Sequence, residues 1–286
     1  MADLGAILTA MVTPFGPDGR VDTDGAVRLM HHLVEHGSDG LVIAGSTGEA
    51  ATLTDEEHIG LIRLAVQELG GRHTVVAGVG SNDTRHAVEL TEQATAAGAD
   101  ALLSVTPYYV KPNRRGLIAH FTAVAAATDR PIILYNIPGR TGLDMPNDLC
   151  AELAQIDGIE AIKQARDTDV ALIDGLDLYA GNDDMLADVL DLGGAGGILV
   201  ASHLVGEQMR AMVDDPARRR EIDASLHDVY EALSVTVNPI PVKAALNLCG
   251  LPAGGLRLPL VEADEAELDV VRSMLERHGL LEAAAA

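Results

Sequence analysis

Lysine is rare in this chain, and one of its three lysines stands where an amine can react. The 286 residues contain 17 Arg but only Lys111, Lys163 and Lys243. Lys163 closes the apolar run at 159–163. A buried ammonium is costly unless it is used or paired, and burial lowers its pKa toward neutrality. Because a neutral amine attacks carbonyl carbons to form imines, Lys163 is predicted to be a nucleophile, with a rim lysine as the alternative. Lys111, in a loop, and Lys243, in a C-terminal helix, have ordinary structural interpretations.

Two further runs end in groups suited to proton transfer and anion binding. Tyr135 lies in the run at 131–136, and Arg140 follows five residues later. A phenol can exchange protons, and the guanidinium fork binds carboxylates through two hydrogen bonds. Tyr109 follows the run at 101–106 and is one of only five tyrosines. Packing for the tyrosine and a solvated surface position for the arginine are the alternatives.

The run at 41–45 leads into a turn rich in hydrogen-bond donors. Ser46 and Thr47 stand between Gly45 and Gly48. Their hydroxyls and the backbone N–H groups of such a turn can bind a carboxylate. An ordinary turn, in which Ser and Thr bond the loop backbone, is equally compatible with the sequence.

Eight short apolar runs, separated by amphipathic helical patterns, must position these groups. The runs are continuously apolar, which is typical of parallel strands buried on both faces. Eight strands alternating with helices predict a (β/α)8 TIM barrel, an α/β fold. A doubly wound open sheet is the alternative, but no GxGxxG follows the first strand. The predicted strands are 7–12, 41–45, 74–80, 101–106, 131–136, 159–163, 176–181 and 197–202.

The strand pattern stops near residue 205. We therefore predict a barrel over residues 1–205, with its last helix continuing to about 225, and a C-terminal helical region over 226–286. Helical patterns beyond the last strand cover roughly 216–235, 239–249 and 264–278. Active sites of such barrels lie at the carboxyl ends of the strands, where all the groups described above are found.

Composition excludes several classes of function. The net charge of −23 opposes binding to nucleic acid. Two cysteines, Cys150 and Cys249, suit a reducing cytoplasm. No basic segment precedes an apolar run near residue 1, so we expect neither a signal peptide nor a membrane span. His32 and His36 lie one helical turn apart among acids and fit a solvated face better than a metal site.

Four ordered motifs carry a family resemblance. They are GSTGEAATL, TPYYVKP, YNIPGRTG and the strand-end IK of Lys163. Over nearly the whole chain the sequence resembles the dihydrodipicolinate synthase and N-acetylneuraminate lyase family of pyruvate-dependent class I aldolases. The resemblance implies a lyase that forms a Schiff base between Lys163 and pyruvate, with no metal and no cofactor.

The segment IPGRT and the later NPIPVK favour the synthase branch of that family. This branch condenses pyruvate with L-aspartate 4-semialdehyde in lysine and diaminopimelate biosynthesis. A 2-keto-3-deoxy sugar-acid aldolase, an N-acetylneuraminate lyase and a non-catalytic barrel with a binding or regulatory role remain alternatives.

The resemblance also implies residue roles. Tyr135 corresponds to the tyrosine that relays protons. Tyr109 corresponds to one that reaches into a neighbouring subunit, so a homotetramer or at least a dimer is expected. Ser46 stands where the synthase usually has Thr, and it keeps the hydroxyl of the relay.

The same correspondence assigns the anion-binding positions. Thr47, with Gly45 beside it, corresponds to the residue that holds the pyruvate carboxylate. Arg140 corresponds to the arginine that binds the carboxylate of the second substrate.

Two departures from the family pattern stand out. Gln164 follows the lysine where Glu is frequent, which predicts an altered charge near the imine. Lysine-inhibited members have Ser, His and Glu where this chain has Ala50, Asp55 and His86. Loss of that Glu removes a partner for a ligand ammonium, so weak or absent inhibition by L-lysine is expected.

Overall fold

A closed barrel of eight parallel strands forms the body of the molecule. The computed structural model describes residues 3–281. Neighbouring strands pair in sequence order, and the first closes the ring against the eighth, with Leu8 opposite Ile198. The predicted (β/α)8 barrel is confirmed, and the open sheet is wrong. The strands are β1 Ile7–Ala10, β2 Gly40–Ile43, β3 Thr74–Gly78, β4 Ala101–Val105, β5 Ile132–Asn136, β6 Ile159–Gln164, β7 Asp177–Ala180 and β8 Gly196–Leu199.

Helices alternate with the strands, and five of those described begin after an Asp, Asn or Thr whose side chain caps the first turn. At the helix that begins at Asp55, the Thr54 hydroxyl accepts a hydrogen bond from the Glu57 N–H, and the Glu57 carboxylate accepts one from the Thr54 N–H. This is a capping box. The helices are α1 Thr23–Glu35, α2 Asp55–Leu69, α3 Thr84–Ala97, α4 Arg114–Ala125, α5 Pro138–Thr141, α6 Asn147–Leu153, α7 Leu186–Leu192, α8 Ser202–Asp214, α9 Arg219–Leu233, α10 Ile240–Leu248 and α11 Glu265–Arg277.

Several strands end earlier than their apolar runs predict. The run at 74–80 yields a strand that ends at Gly78, and the run at 197–202 yields one that ends at Leu199. The residues beyond these ends, such as Val79 and Ala201, remain fully buried. Apolar character therefore continues past the hydrogen-bonded ladder, because the loops at the barrel mouth are themselves packed.

Side chains alternate between the barrel lumen and the layer beneath the helices. On β5, Tyr135 packs in the lumen, whereas Leu134 packs with the helices. On β6, Ala161 lies in the lumen and Ile162 in the outer layer. Because successive side chains on a strand point to opposite faces, Lys163 points inward.

The C-terminal helices α9 to α11 lie close to their predicted positions. The eighth helix ends at Asp214 rather than near residue 225, and α9 begins at Arg219. The helix α9 packs against both α8 and α11. The division into a barrel and a C-terminal region stays a prediction. No helix within residues 3–281 is both long and apolar enough to cross a membrane.

Candidate active site

A cavity of about 510 Å³ opens at the carboxyl ends of the strands. It brings together six of the seven predicted site residues. These are Gly45, Ser46, Thr47, Tyr135, Arg140 and Lys163. The C-terminal region closes one side, through residues of α9 and the loop that follows it. Within the described chain, no group of three or more His, Cys, Asp and Glu side chains could hold a metal ion.

Lys163 is buried without a partner for its amine. Its side chain is 5% exposed, and its Nζ lies 4.3 Å from the centre of the Tyr135 ring. Among residues 3–281 this Nζ forms no hydrogen bond and no ion pair. Burial lowers the pKa of Lys163 to about 7, with Asp183 acting to raise it and Arg140 to lower it. Much of the amine is therefore neutral, and nucleophilic, near neutral pH.

Tyr135 stands directly beside Lys163, because the two residues are paired in the register of β5 and β6. Its backbone carbonyl accepts hydrogen bonds from the N–H and the hydroxyl of Thr106, each at 3.0 Å. Burial raises the pKa of Tyr135 to about 12. The phenol thus keeps its proton, and within the part of the chain described here its hydroxyl bonds to no other residue. It is free to exchange a proton with a bound substrate.

The turn after β2 presents unpaired backbone donors. Thr47 is 4% exposed, yet no acceptor within residues 3–281 bonds the N–H of Thr47 or of Gly48. Buried N–H groups are almost always paired, so two consecutive unpaired ones favour an anion. The chain enters this turn through Ala44, at φ 55°. Gly78 makes room for it, since a Cβ there would lie 2.3 Å from the Ala44 carbonyl oxygen.

The remaining predicted donors lie nearer the surface. Arg140, in α5, is exposed, and its Nη2 donates to the carbonyl of Asn238 at 2.9 Å. Ser46 is also exposed at the rim of the cavity. Their positions suit contact with a substrate that enters from solvent.

Tyr109 does not reach this cavity. Its side chain is 86% exposed, its φ is 71°, and its N–H donates to the carbonyl of Thr141 at 3.3 Å. The expected role of Tyr109 requires a second copy of the chain. That role stays a prediction.

Sequence reasoning missed the importance of Asp183. In the structure its Oδ1 accepts hydrogen bonds from the N–H groups of Val200 and Ala201, at 2.8 and 2.9 Å, and the residue lines the cavity. Burial raises the pKa of Asp183 to about 6. Its ionised form is a negative charge that interacts with Lys163.

The side chain of Gln164 does not lie near the Lys163 amine, although its position next to Lys163 in the sequence predicted an altered charge there. Its Oε1 accepts hydrogen bonds from Asn136 Nδ2 at 3.0 Å and from the Arg166 N–H at 3.2 Å. It lies on the opposite face of β6 from Lys163, because adjacent strand residues point to opposite sides. The substitution therefore changes a buried polar network outside the lumen.

Comparison with known proteins identifies the family. The model of the dihydrodipicolinate synthetase family matches residues 3–278. The chain belongs to this family. It is 47% identical over 290 residues to the 4-hydroxy-tetrahydrodipicolinate synthase of Moorella thermoacetica, with 97% of this chain and 99% of that protein covered. The enzyme of the same name from Desulforudis audaxviator is 43% identical, with 98% and 99% covered.

Solved structures agree with this membership. The dihydrodipicolinate synthase from Cyanidioschyzon merolae with lysine bound superposes with a TM-score of 0.94 at 39% identity, and the match covers 98% of this chain and 100% of that one. The synthase from Aquifex aeolicus gives a TM-score of 0.93 at 36% identity, with 98% and 100% covered. The likeness therefore extends over the barrel and the C-terminal helices together.

Proposed function

We propose that this chain catalyses the reaction of the 4-hydroxy-tetrahydrodipicolinate synthases, in which pyruvate condenses with L-aspartate 4-semialdehyde. The observation that carries the proposal is the unpaired amine of Lys163, buried beside Tyr135 in the cavity that Thr47 also lines, at the turn where the N–H groups of Thr47 and Gly48 are free. A keto acid needs one nucleophile and one carboxylate site in the same cavity, and Lys163 and the turn at Thr47 are our candidates for them.

Pyruvate binding and imine formation come first. The carboxylate of pyruvate accepts hydrogen bonds from the Thr47 and Gly48 N–H groups, which places C2 near the amine. The neutral Lys163 Nζ attacks C2, and the oxygen leaves as water after two proton transfers. Tyr135 is the proton donor and acceptor for these steps, which typically gain about 10²- to 10⁴-fold from such a group. Asp183 balances the positive charge of the resulting iminium.

The carbon–carbon bond follows. The iminium acidifies the methyl group of pyruvate, which loses a proton to give an enamine. The enamine carbon attacks the aldehyde carbon of the second substrate, whose oxygen takes up a proton and becomes the 4-hydroxyl. The amino group of that substrate then attacks C2, closes the ring and releases Lys163. Throughout, Arg140 binds the carboxylate of L-aspartate 4-semialdehyde at the rim of the cavity.

The charge of the chain means that local contacts must hold these substrates. Pyruvate is an anion and L-aspartate 4-semialdehyde is a zwitterion with one carboxylate, whereas the protein has a net charge of −23. Long-range steering therefore repels pyruvate, does little for the zwitterion, and is screened beyond roughly 8 to 10 Å in physiological salt. Binding depends on the short contacts to the turn at Thr47 and to Arg140.

We also propose a cytoplasmic homotetramer or dimer. The ring of Tyr109 is held outward on a backbone at positive φ, beside the exposed Tyr108 and Val110. A second copy of the chain packed there would bury these side chains. Tyr109 of one copy would then reach the hydroxyl relay that Ser46 and Tyr135 form in the other copy. Light scattering on the purified protein tests this arrangement, and a monomer with full activity would contradict it.

Borohydride trapping tests the covalent step. The protein incubated with pyruvate and borohydride should gain the mass of one reduced pyruvate imine, and peptide mapping should place it on Lys163. Full activity in the presence of a chelator is the matching expectation for a metal-free reaction. An unmodified protein, or a label on another lysine, would overturn the proposal.

An acceptor screen tests the second substrate. With pyruvate present, L-aspartate 4-semialdehyde should be consumed with the greatest kcat/KM, ahead of sugar aldehydes. A preference for a sugar aldehyde would instead assign the chain to a sugar-acid aldolase or an N-acetylneuraminate lyase.

A further inference from the structure

The turn that presents the free N–H groups ends in a buried carboxylate. Glu49 directly follows Gly48, its side chain is inaccessible to solvent, and its backbone lies in the left-handed region at φ 56°. Its Oε1 lies 2.6 Å from Lys243 Nζ in α10, and its Oε2 accepts a hydrogen bond from the Arg257 N–H at 3.1 Å. A non-glycine residue at positive φ persists only where its surroundings fix it.

Lys243 is almost completely enclosed by partners. Its side chain is 2% exposed, and its Nζ also donates to the Gly255 carbonyl at 2.6 Å. The same Nζ lies 4.4 Å from the centre of the Phe15 ring, which is a cation–π distance. Burial lowers the pKa of Lys243, and the bond to Glu49 acts against that change. The charged pair is thereby desolvated but fully bonded, which makes its geometry specific.

The segment that carries Lys243 holds the turn at a second point. Asn238 lies five residues before Lys243, and its Nδ2 donates to Thr47 Oγ1 at 2.9 Å. Thr13 supports the same turn from the other side, through a bond from its hydroxyl to the Gly48 carbonyl at 2.6 Å. Thr47 and Glu49 are thus anchored to the C-terminal region, and Gly48 between them is bonded by Thr13.

We infer that Lys243 and Glu49 form a positioning pair that aims the N–H groups of Thr47 and Gly48 at the substrate carboxylate. This inference rests on the proposed function. The pair acts through the turn and touches no reacting atom. Its loss should therefore weaken pyruvate binding while the chemistry at Lys163 continues, and this separates it from a pair that only stabilises the fold.

A double variant gives the cleanest test. Lys243→Met combined with Glu49→Gln removes both charges together, which avoids leaving one buried charge unpaired. The KM for pyruvate should rise about ten- to a hundredfold, the range for a misplaced binding group, whereas kcat should change much less. In borohydride trapping the half-saturating pyruvate concentration should rise by the same factor, while the labelled fraction at saturation should match the parent.

A pair remote from the turn provides the matched control. Arg219 and Asp191 form an ion pair between α9 and α7, at 2.5 Å. Arg219→Met with Asp191→Asn should lower the thermal midpoint but leave the pyruvate KM unchanged. If the charge-free double variant at 49 and 243 does not fold, Lys243→Arg keeps the charge and alters only the geometry, and its pyruvate KM should still rise.

The outcomes separate the two proposals. A folded double variant, or a folded Lys243→Arg variant, that traps pyruvate with the parent half-saturation would overturn the positioning pair. A parent protein that forms no adduct at all would instead overturn the proposed function.

Discussion

Lys163 and Lys243 are both buried, and each amine lies over an aromatic ring, but the two amines differ in their hydrogen-bond partners. Lys163 Nζ lies 4.3 Å from the centre of the Tyr135 ring, and Lys243 Nζ lies 4.4 Å from that of Phe15. Lys243 bonds the Glu49 carboxylate and a backbone carbonyl. Lys163 bonds nothing within the described chain, and it faces a cavity.

The comparison shows that burial alone does not activate an amine. Burial lowers the pKa of both lysines. A bonded carboxylate favours the ammonium form of Lys243, whereas Lys163 has only the more distant charge of Asp183. An empty volume beside the amine, together with the missing partner, suits Lys163 to the proposed role of nucleophile, whereas the bonded Lys243 is suited to the role of a positioning cation.

Removal of the Lys163 amine should have the largest effect on catalysis. Lys163→Ala should reduce kcat on the order of 10⁵-fold or more, as expected for loss of a covalent nucleophile. It should leave the fold intact, because no bonded partner is left behind. Steady-state kinetics, circular dichroism and borohydride trapping measure these effects. A variant that unfolds, or one that still traps pyruvate, would contradict the assignment.

The ring beneath each amine is the next difference, because Tyr135 has a hydroxyl and Phe15 has none. Tyr135→Phe makes the two surroundings alike and removes the proton donor and acceptor. We expect kcat to fall by about 10²- to 10⁴-fold, with little change in the urea unfolding midpoint. Phe15→Leu is the control at the other ring, and its kcat should stay near that of the parent. Equal losses in the two variants would refute a specific role for the phenol.

Loss of Lys243 should instead act mainly on the free energy of unfolding. Lys243→Met alone leaves the Glu49 carboxylate buried without its cation, and breaking a buried pair in this way costs about 3 to 5 kcal/mol. Urea denaturation of the single and double variants measures the cost. Restoration of most of the lost stability by the second change, Glu49→Gln, is the expected signature of an uncompensated charge. A single variant as stable as the parent would show that the pair is not needed for folding.

The sequence revealed one of these lysines and not the other, for physical reasons. Lys163 closes an apolar run, and the barrel follows from the alternation of such runs with helical patterns, whereas the inward direction of Lys163 is seen only in the structure. Lys243 looked ordinary because its partner Glu49 is 194 residues away. A separation of 191 residues likewise concealed the bond from Asn238 to Thr47. Local patterns predict elements and their faces, but contacts between distant segments depend on how those elements pack.

The exact strand ends and the role of Tyr109 are two other features that the sequence alone does not determine. Apolar runs overestimated the strand ends because packed loops look like strands in sequence, as at Val79. The role of Tyr109 depends on a surface that a single chain does not complete. Asp183 was visible in the sequence, yet its interaction with Lys163 follows only from the closed barrel, which brings the loop after β7 over β6.

The charge of Asp183 offers a smaller and more graded test. Because its carboxylate raises the pKa of Lys163, Asp183→Asn should lower that pKa below the parent value of about 7. The initial rate of pyruvate trapping rises with pH as the amine loses its proton, so its midpoint should move to lower pH. The amide can still accept the bonds from Val200 and Ala201. Asp188→Asn, on the exposed side of α7, is the matched control and should leave the midpoint in place. An unmoved midpoint in Asp183→Asn would mean that this carboxylate does not act on the amine.

A third amine, that of free L-lysine, extends the comparison to a ligand, and here the expected effect is smallest. The family resemblance implies that lysine-inhibited members have a Glu at the position of His86. In this chain His86 Nε2 lies 3.0 Å from Asp55 Oδ1. An imidazole bonded to a neighbouring side chain thus stands at the position where a carboxylate would bind a ligand ammonium. Initial rates should therefore stay near the uninhibited value as L-lysine is added, whereas His86→Glu should increase sensitivity to it. Inhibition of the parent protein by low micromolar L-lysine would contradict this expectation. It would show that another group replaces the missing Glu as the partner of the ligand ammonium.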